Sequence, residues 1–260
     1  MALGDAVAAM VRSRDTVSIE GFGQRIPFAA VHEIVRQRIG ELHLVRMGVD
    51  LVGDQLLGAG LVATLTFSWA GNPGLGTLRR FRKAVEDRAP RAVALEELSH
   101  GALLAAYRAG AAGLPFALTR SFEASDLPAH SPLLAPIACP FTGEPLHAVR
   151  AVRPDVTILH GQRADRAGNV ELAGVIGAER FAAFAAARTL VTVEELVDAL
   201  EPRFGSAIVP AEVVTTVVHA PGGARPSGVD GYYDRDDEAY REWDALSRDD
   251  ARFERWLAAL

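Results

Sequence analysis

The sequence is poor in cysteine. Cys139 is the one cysteine among 260 residues, which excludes an internal disulfide. The seven histidines lie apart and no Cys/His cluster has the spacing of metal ligands, so no metal site is expected. A thiol without a partner fits a reducing compartment, and we expect a cytoplasmic location.

Lysine is equally scarce, and basic charge is not concentrated anywhere. Lys83 is the one lysine among 27 basic residues, which are scattered among 33 acidic ones and leave a net charge of −6. A nucleic-acid-binding face needs a basic patch or stripe. Nucleic acid is therefore not expected as a partner.

Long apolar runs are missing too. Residues 1–11 are largely apolar, but Asp5 interrupts them early, no basic segment precedes them, and Arg12 and Arg14 follow. This pattern is too short and too polar for a membrane span, and it lacks the basic start of a signal peptide. It predicts an amphipathic first helix, and we expect no membrane association.

The chain does contain a clear alternation of strand and helix patterns. With 49% hydrophobic and 23% charged residues, it can bury a sizeable core as one large domain or two closely packed lobes. The alternation predicts an α/β fold with an open, mainly parallel sheet flanked by helices. The predicted strands are 16–20, 42–46, 62–67, 92–96, 156–160, 189–193 and 213–218, and the predicted helices are 27–38, 53–59, 76–88, 99–110 and 177–187.

Two segments depart from this alternation. Residues 120–150 contain five prolines and little periodicity, which predicts an irregular excursion over the surface. Residues 231–260 are charged and amphipathic, which predicts a C-terminal helical tail packed on the 1–230 domain or on a partner, with Ser247 opening its second helix. The aromatic residues expected to dock this tail are Tyr240, Trp243, Phe253 and Trp256.

A glycine-rich turn after the first predicted strand is the earliest candidate for a site. Gly21, Phe22 and Gly23 follow a short apolar strand, and Pro27 is placed to open the next helix. Glycines on both sides of an aromatic residue allow positive φ values and bring backbone N–H groups close to a ligand. Ordinary loop geometry is the alternative, because the third glycine of a dinucleotide fingerprint is missing.

Four segments between residues 16 and 252 share a pattern with one known family. S-I-E-G-F-G-Q-R-I-P at 18–27 is similar to its G-G-F-x-x-x-G-x-P signature, with Glu20 and Ile26 in place of the first and last glycines. The others are L-E-E-L-S-H-G at 95–101 with its continuation to 115, A-D-R-A-G-N-V at 164–170, and A-P-G-G-A-R-P-S with the charged segment after it. Together they resemble the A (alpha) subunit of family I coenzyme A transferases.

The resemblance implies an open α/β sheet packed against a homologous B subunit, with the active site in the cleft between them. It implies that a glutamate attacks an acyl-CoA to form a mixed anhydride, that CoA thiolate returns to give a glutamyl-CoA thioester, and that an acceptor carboxylate takes the CoA. The CoA thioester is then a substrate, and no cofactor is held permanently. The glutamate belongs to an S-E-N-G-type motif of the B subunit that this sequence lacks, so the chain is expected to be catalytically incomplete alone.

His100 is the residue to which the resemblance gives a chemical role. The family has a glutamine there that donates into the oxyanion hole, and a neutral imidazole can donate one N–H in the same place. Glu97 and Glu96 close the preceding strand, and either can orient the ring of His100. The structural alternatives are a helix-start histidine bonded to its own backbone and a solvated strand-end carboxylate.

Two further segments are expected to contact substrate. The glycine-rich turn, together with Arg25, is expected to contact the coenzyme A thioester. Arg25 lies just before the predicted helix 27–38 and can pair with an anionic group of the substrate, with an ordinary surface arginine as the alternative. Segment 68–76 aligns with the family's acyl pocket, with the alternative of a structural turn. Its expected binding residues are Ser68, Asn72 and Gly74, with Trp69 as a wall.

Glu20 bears on the identity of the substrate. A carboxylate where the family has a glycine is expected to crowd or repel an acidic acyl chain, which argues against a dicarboxyl-CoA substrate.

Three functions remain open at this stage. The first is the A subunit of a heteromeric CoA-transferase. The second is a subunit of an acyl-CoA hydrolase or ring-cleaving hydrolase, because His100 can also accept a proton near neutral pH. The third is a non-catalytic partner or ligand-binding module that keeps the fold without catalysing a reaction.

Overall fold

The computed structural model describes residues 1–201 and 203–260, and both strands and helices run through these ranges. The twelve strands in the described part are β1 Thr16–Ile19, β2 Leu42–Val49, β3 Val62–Ala70, β4 Ala94–Glu97, β5 Phe116–Thr119, β6 Leu134–Ala138, β7 Pro145–Arg150, β8 Val156–Asp165, β9 Val170–Ala173, β10 Arg188–Val197, β11 Ser206–Val209 and β12 Thr216–His219.

Nine of these strands form one sheet. Seven run parallel in the order β12, β10, β8, β1, β2, β3, β4. β9 pairs antiparallel with β8, and β11 pairs antiparallel with β9. β1 lies in the middle, where Val17 pairs with Leu44 of β2 on one side and with Val156 of β8 on the other. The predicted open, mainly parallel α/β sheet is confirmed.

Helices cover both faces of the sheet. The largest apolar cluster packs α1, α2, α3 and α4 on one face, whereas α5 and α7 pack on the other. No helix within residues 1–201 and 203–260 combines the length and the apolarity needed to cross a membrane. The helices are α1 Leu3–Met10, α2 Phe28–Arg36, α3 Leu51–Gly58, α4 Arg79–Glu86, α5 His100–Ala111, α6 Leu127–His130, α7 Glu179–Ala185, α8 Asp237–Arg248 and α9 Asp250–Ala259, with a 3-10 turn at Ala211–Val213.

The prediction of an irregular excursion over 120–150 is wrong. This region contributes β6, β7 and α6, and β7 lies between β5 and β6 in a second, three-stranded antiparallel sheet. Prolines are rare in strands, so their number here argued against a sheet. Both prolines within the strands occupy positions that a sheet tolerates: Pro136 is on the edge strand β6, and Pro145 is the first residue of β7.

The C-terminal tail forms two helices, as predicted, but the second begins two residues later than expected. Asp249 caps α9, because its carboxylate accepts the amide of Arg252 at 2.9 Å, whereas Ser247 is buried within α8. Tyr240, Trp243 and Phe253 are buried in the main core, so the aromatic stripe docks the tail on the α3 and α4 layer.

Polar contacts fix the position of this docked tail. The indole N–H of Trp243 donates to Asp54 of α3 at 2.8 Å, and Asn72 donates to the carbonyl of Tyr240 at 3.0 Å. Burial raises the pKa of Asp54 to about 6, although hydrogen bonds from Phe81 and Trp243 oppose the shift. The tail is therefore joined to the domain by specific hydrogen bonds as well as by apolar packing.

Trp243→Ala is expected to lower the free energy of unfolding by about 3–5 kcal/mol, because it opens a cavity and removes a donor to a buried carboxyl. Equilibrium unfolding in urea measures this. Trp69→Ala is the matched control: Trp69 is 43% exposed, so its loss should stay below about 1.5 kcal/mol. Equal losses for the two variants would contradict the anchoring role of Trp243.

Candidate active site

A cleft opens at the edge of the sheet where the carboxyl ends of the parallel strands meet. Open α/β sheets bind ligands at this edge, because the loops that leave neighbouring strands converge there. The cleft has a volume of about 310 Å³. Its lining comes from the ends of β1, β2 and β3 and from the start of α5: Gly21, Phe22, Gly23, Gly48, Asp50, Trp69, Pro73 and His100.

Phe22 and His100 meet across this cleft. Their ring centroids lie 5.6 Å apart with an interplanar angle of 87°, an edge-to-face contact. Behind Phe22 lies Gly177, where an added Cβ would come within 3.0 Å of the phenylalanine Cβ. The structure thus brings together the glycine-rich turn and the histidine that the sequence singled out.

The imidazole of His100 faces solvent at the start of α5. Ser99 caps this helix by accepting the amide of Ala102 at 3.0 Å. No residue in the described ranges forms a hydrogen bond with the ring of His100. The ring nitrogens are therefore available to a ligand.

The turn itself can be built only with glycine at its first position. Gly21 has φ +151° and a Cβ there would lie 2.6 Å from the carbonyl oxygen of Arg25, while Gly23 has φ +73°. The amides of Phe22 and Gly23 find no acceptor among the described residues. Two residues of the turn that line the cleft therefore keep backbone N–H groups with no acceptor among the described residues.

Glu20 lies beneath the turn and outside the cleft lining, so the expectation that it crowds or repels an acidic acyl chain is wrong. It is 2% exposed, and it accepts hydrogen bonds from the Tyr107 hydroxyl at 2.9 Å and the Met47 amide at 3.3 Å. Burial raises the pKa of Glu20 to about 8 despite the nearby Arg46 guanidinium. The side chain is thus a neutral acid near pH 7 and gives no evidence against a dicarboxyl-CoA substrate.

Arg25 does not reach the cleft, and its expected pairing with a substrate anion is not supported. Its guanidinium is fully buried, donating to Glu179 at 3.0 Å and to the carbonyl of Val175 at 2.5 Å. The backbone of Arg25 has φ +52°, and its amide is bonded to Gly228. Arg25 therefore ties the turn to α7 and to the loop after β12.

Only some of the residues of the expected acyl pocket line the cleft. Trp69 lines it, as predicted, and Pro73 joins it from the same loop. Asn72 is 3% exposed and binds the tail through Tyr240, so it cannot contact substrate from this position. Ser68 donates to the carbonyl of Met47 at 2.8 Å, and Gly74, with φ +73°, forms part of the turn outside the lining.

The two glutamates that end β4 do not orient His100 as expected. Glu96 accepts from Thr66 at 2.6 Å and pairs with His43 at 3.4 Å in a separate recess on the sheet face. Glu97 is exposed and makes no hydrogen bond to His100 in the part of the chain that the structure describes. Neither carboxylate fixes the imidazole in this chain.

Sequence reasoning missed Asp50 and Arg46. Asp50 lines the cleft and caps α3, since its carboxylate accepts the amide of Val52 at 3.1 Å. Arg46 lies beneath both Asp50 and the glycine-rich turn and is 1% exposed. Asp50 precedes an apolar helical segment, a pattern that indicates a helix N-cap. Nothing in the sequence indicated that Arg46 lies beneath the turn.

Comparisons with known proteins agree with this geometry. A family model described as coenzyme A transferase matches residues 1–220. The A subunit of 3-oxoadipate CoA-transferase from Pseudomonas knackmussii is 51% identical over 257 residues, which cover 99% of this chain and 91% of that protein. The chain belongs to the coenzyme A transferase family.

Other members of the coenzyme A transferase family extend the match. The A subunit of glutaconate CoA-transferase from Acidaminococcus fermentans is 31% identical, over 98% of this chain and 85% of that protein. The crystal structure of that enzyme superposes with a TM-score of 0.91 and covers 100% of this chain and 87% of the other. These relatives are A subunits, so this chain is an A-type subunit of a CoA-transferring enzyme, which implies a B-type partner.

A solved decarboxylase also shares the fold. The crystal structure of a variant of the decarboxylase AibA/AibB superposes with a TM-score of 0.87 at 29% identity, covering 99% of this chain and 97% of that one. The fold of the coenzyme A transferase family therefore also occurs in an enzyme with another activity, and the site residues must decide the chemistry.

The buried Glu20 predicts a specific pH dependence of stability. Its folded pKa of about 8 lies above the ordinary 4.5, so between these values the folded chain holds a proton that the unfolded chain has released. Stability from this group is therefore present at low pH and lost as pH rises to about 8, by up to about 1.4 kcal/mol per pH unit. Glu20→Gln should remove that loss.

Urea unfolding of wild type and Glu20→Gln at several pH values between about 5 and 8 measures the effect. The wild-type free energy of unfolding should fall more steeply with pH than that of the variant. Glu97→Gln, which changes an exposed carboxylate, should keep the wild-type slope. Identical slopes for wild type and Glu20→Gln would mean that the carboxyl is ionised in the folded chain.

Proposed function

We propose that this chain is the A subunit of a heteromeric CoA-transferase that moves CoA from an acyl-CoA to a carboxylate acceptor. The observation that carries the proposal is the cleft in which the glycine-rich turn faces His100, in a chain 51% identical to the corresponding subunit of a 3-oxoadipate CoA-transferase. The CoA thioester is a substrate in this proposal, and no cofactor is held permanently.

In the proposed reaction the thioester carbonyl is attacked by a glutamate of the B subunit. CoA thiolate leaves and a mixed anhydride forms; the thiolate then attacks the glutamyl carbonyl, releases the first carboxylate and gives a glutamyl-CoA thioester. The acceptor carboxylate repeats both steps in reverse order. Each tetrahedral intermediate places a negative charge on a carbonyl oxygen, so donors near that oxygen lower the barriers.

This chain supplies those donors in the proposal. The free amides of Phe22 and Gly23 and one N–H of the exposed His100 ring lie around the same cleft. Trp69 and Phe22 provide apolar surface for the acyl chain, and both are partly exposed at the mouth of the cleft. The glutamate and most contacts to CoA come from the B subunit.

A dicarboxylic acyl group is the proposed substrate class. Two relatives are named for 3-oxoadipate and glutaconate, both dicarboxylic acids. The cleft lining within the described residues contains no lysine or arginine, so the distal carboxylate of such a substrate would find its countercharge on the B subunit. Buried Glu20 does not oppose this assignment.

The direct test uses this chain co-expressed with its cognate B subunit. Incubation with 3-oxoadipate and an acyl-CoA donor should yield the new acyl-CoA, and mass spectrometry should detect a glutamyl-CoA adduct on the B subunit. The present chain by itself should show neither. Transfer by this chain in isolation would contradict the split site.

His100→Ala in this complex should lower kcat by about 10²-fold or more, because an oxyanion donor is lost. His100→Gln is the matched variant, since a glutamine amide donates from a similar place. It should keep most of the transfer activity if His100 acts as a donor, whereas equal losses in both variants would favour proton transfer by the ring.

Hydrolysis is the second candidate, and the unpartnered, solvent-facing ring of His100 favours it. A ring with no hydrogen-bond partner among the described residues can accept a proton from water. The assay without an acceptor separates the two functions: release of free CoA at the same rate with and without a carboxylate indicates a hydrolase. Acceptor-dependent turnover indicates a transferase.

A further inference from the structure

Arg46 connects the two walls of the cleft from below. It lies on β2, is 1% exposed, and donates to the carbonyl of Ile19 at 2.6 Å and, through a longer contact of 3.4 Å, to the carbonyl of Gly21. It also donates to Asp50 at 2.6 Å. One buried guanidinium therefore holds the end of β1, the glycine-rich turn and the cap of α3.

The contact to Gly21 determines the direction of the next amide. The carbonyl of Gly21 and the N–H of Phe22 belong to one trans peptide unit and point in opposite directions. Because Arg46 holds this carbonyl on its buried side, the N–H of Phe22 is directed away from the core, where the cleft lies. A guanidinium suits this role, since its fixed donor geometry binds several acceptors at once.

The contact to Asp50 has a separate consequence. Asp50 is an acid in the cleft lining, and Arg46 balances its charge at 2.6 Å. Without that balance, the buried carboxylate in the wall of the cleft would oppose negative charge on a reacting oxygen. The effects of Arg46 on the amide and on the charge can be separated by substitution.

We propose that Arg46 is a positioning residue for CoA transfer: it orients the Phe22 amide as a donor to the oxyanion and neutralises Asp50 in the cleft wall. The expected change in kcat rests on the proposed function. The structural consequence, the orientation of the Gly21–Phe22 peptide, does not depend on that function.

The kinetic test uses the complex of this chain with its B subunit. Arg46→Gln should lower kcat by about 10- to 100-fold while KM changes less than about threefold, because an interaction specific to the transition state is weakened. The concentration of active complex is measured from the amplitude of the glutamyl-CoA burst, so that misfolded protein does not lower the calculated kcat.

The double variant Arg46→Gln with Asp50→Asn separates positioning from charge and from a folding defect. It removes the uncompensated carboxylate, so it should recover thermal stability relative to Arg46→Gln while kcat stays at least about tenfold below wild type. A double variant with wild-type kcat would overturn the orienting role, because the carbonyl contacts would then be dispensable.

Arg188→Gln is the matched control at the opposite edge of the sheet. Arg188 also joins a carbonyl and a carboxylate, donating to the carbonyl of Asp155 at 3.2 Å and to Asp15 at 2.9 Å. Its loss should destabilise the chain and leave kcat per active complex unchanged. A fall in kcat equal to that of Arg46→Gln would overturn the assignment.

A crystal structure of the Arg46→Gln chain gives a readout that does not require activity. The Gly21–Phe22 peptide should rotate so that the Phe22 amide leaves the cleft, and the contact between Phe22 and His100 should change. An unchanged peptide would overturn the inference even in an active enzyme. If the wild-type complex transfers no CoA, the proposed function fails, while this structural result still decides the role of Arg46.

Discussion

The parallel pairing of β1 with β2 on one side and β8 on the other is the constraint on which the cleft depends. Central parallel strands are buried on both faces, and Val17, Ser18 and Ile19 of β1 are fully buried. Because its neighbours run in the same direction, the turn after β1 opens at the same edge as the loops after β2, β3 and β4. The meeting of Phe22 with His100 follows from this strand order.

Buried charged groups beneath the glycine-rich turn lower the stability of the fold. Arg25 and Glu179 form a fully buried ion pair and Arg46 is 1% exposed, and buried ionic groups seldom stabilise a fold as well as apolar packing does. In return they hold backbone atoms in place: Arg25 binds the carbonyl of Val175, and Arg46 binds that of Ile19. The polar cluster is therefore better explained by the geometry of the turn than by the stability of the core.

Features set by local sequence patterns were predictable, whereas contacts between residues far apart in the sequence were not. The alternating elements and the turn next to His100 were predictable, because hydrophobic period and motif order are local signals. Arg25 and Asn72 were assigned to substrate wrongly, because their partners Glu179 and Tyr240 lie 154 and 168 residues away. The small sheet over 116–150 was missed because proline on an edge strand looks like a loop in one dimension.

Solvent exposure explains why the cleft residues of this chain alone would stabilise an oxyanion only weakly. His100, Phe22 and Gly23 line an open cleft, and in water donors such as the imidazole and the unbonded amides exchange one hydrogen bond for another with small net gain. The same donors gain strength when water is excluded, because the local dielectric falls. Under the proposed function, the B subunit therefore contributes more than a glutamate: by covering Phe22 and Trp69 it would turn ordinary donors into an effective oxyanion site.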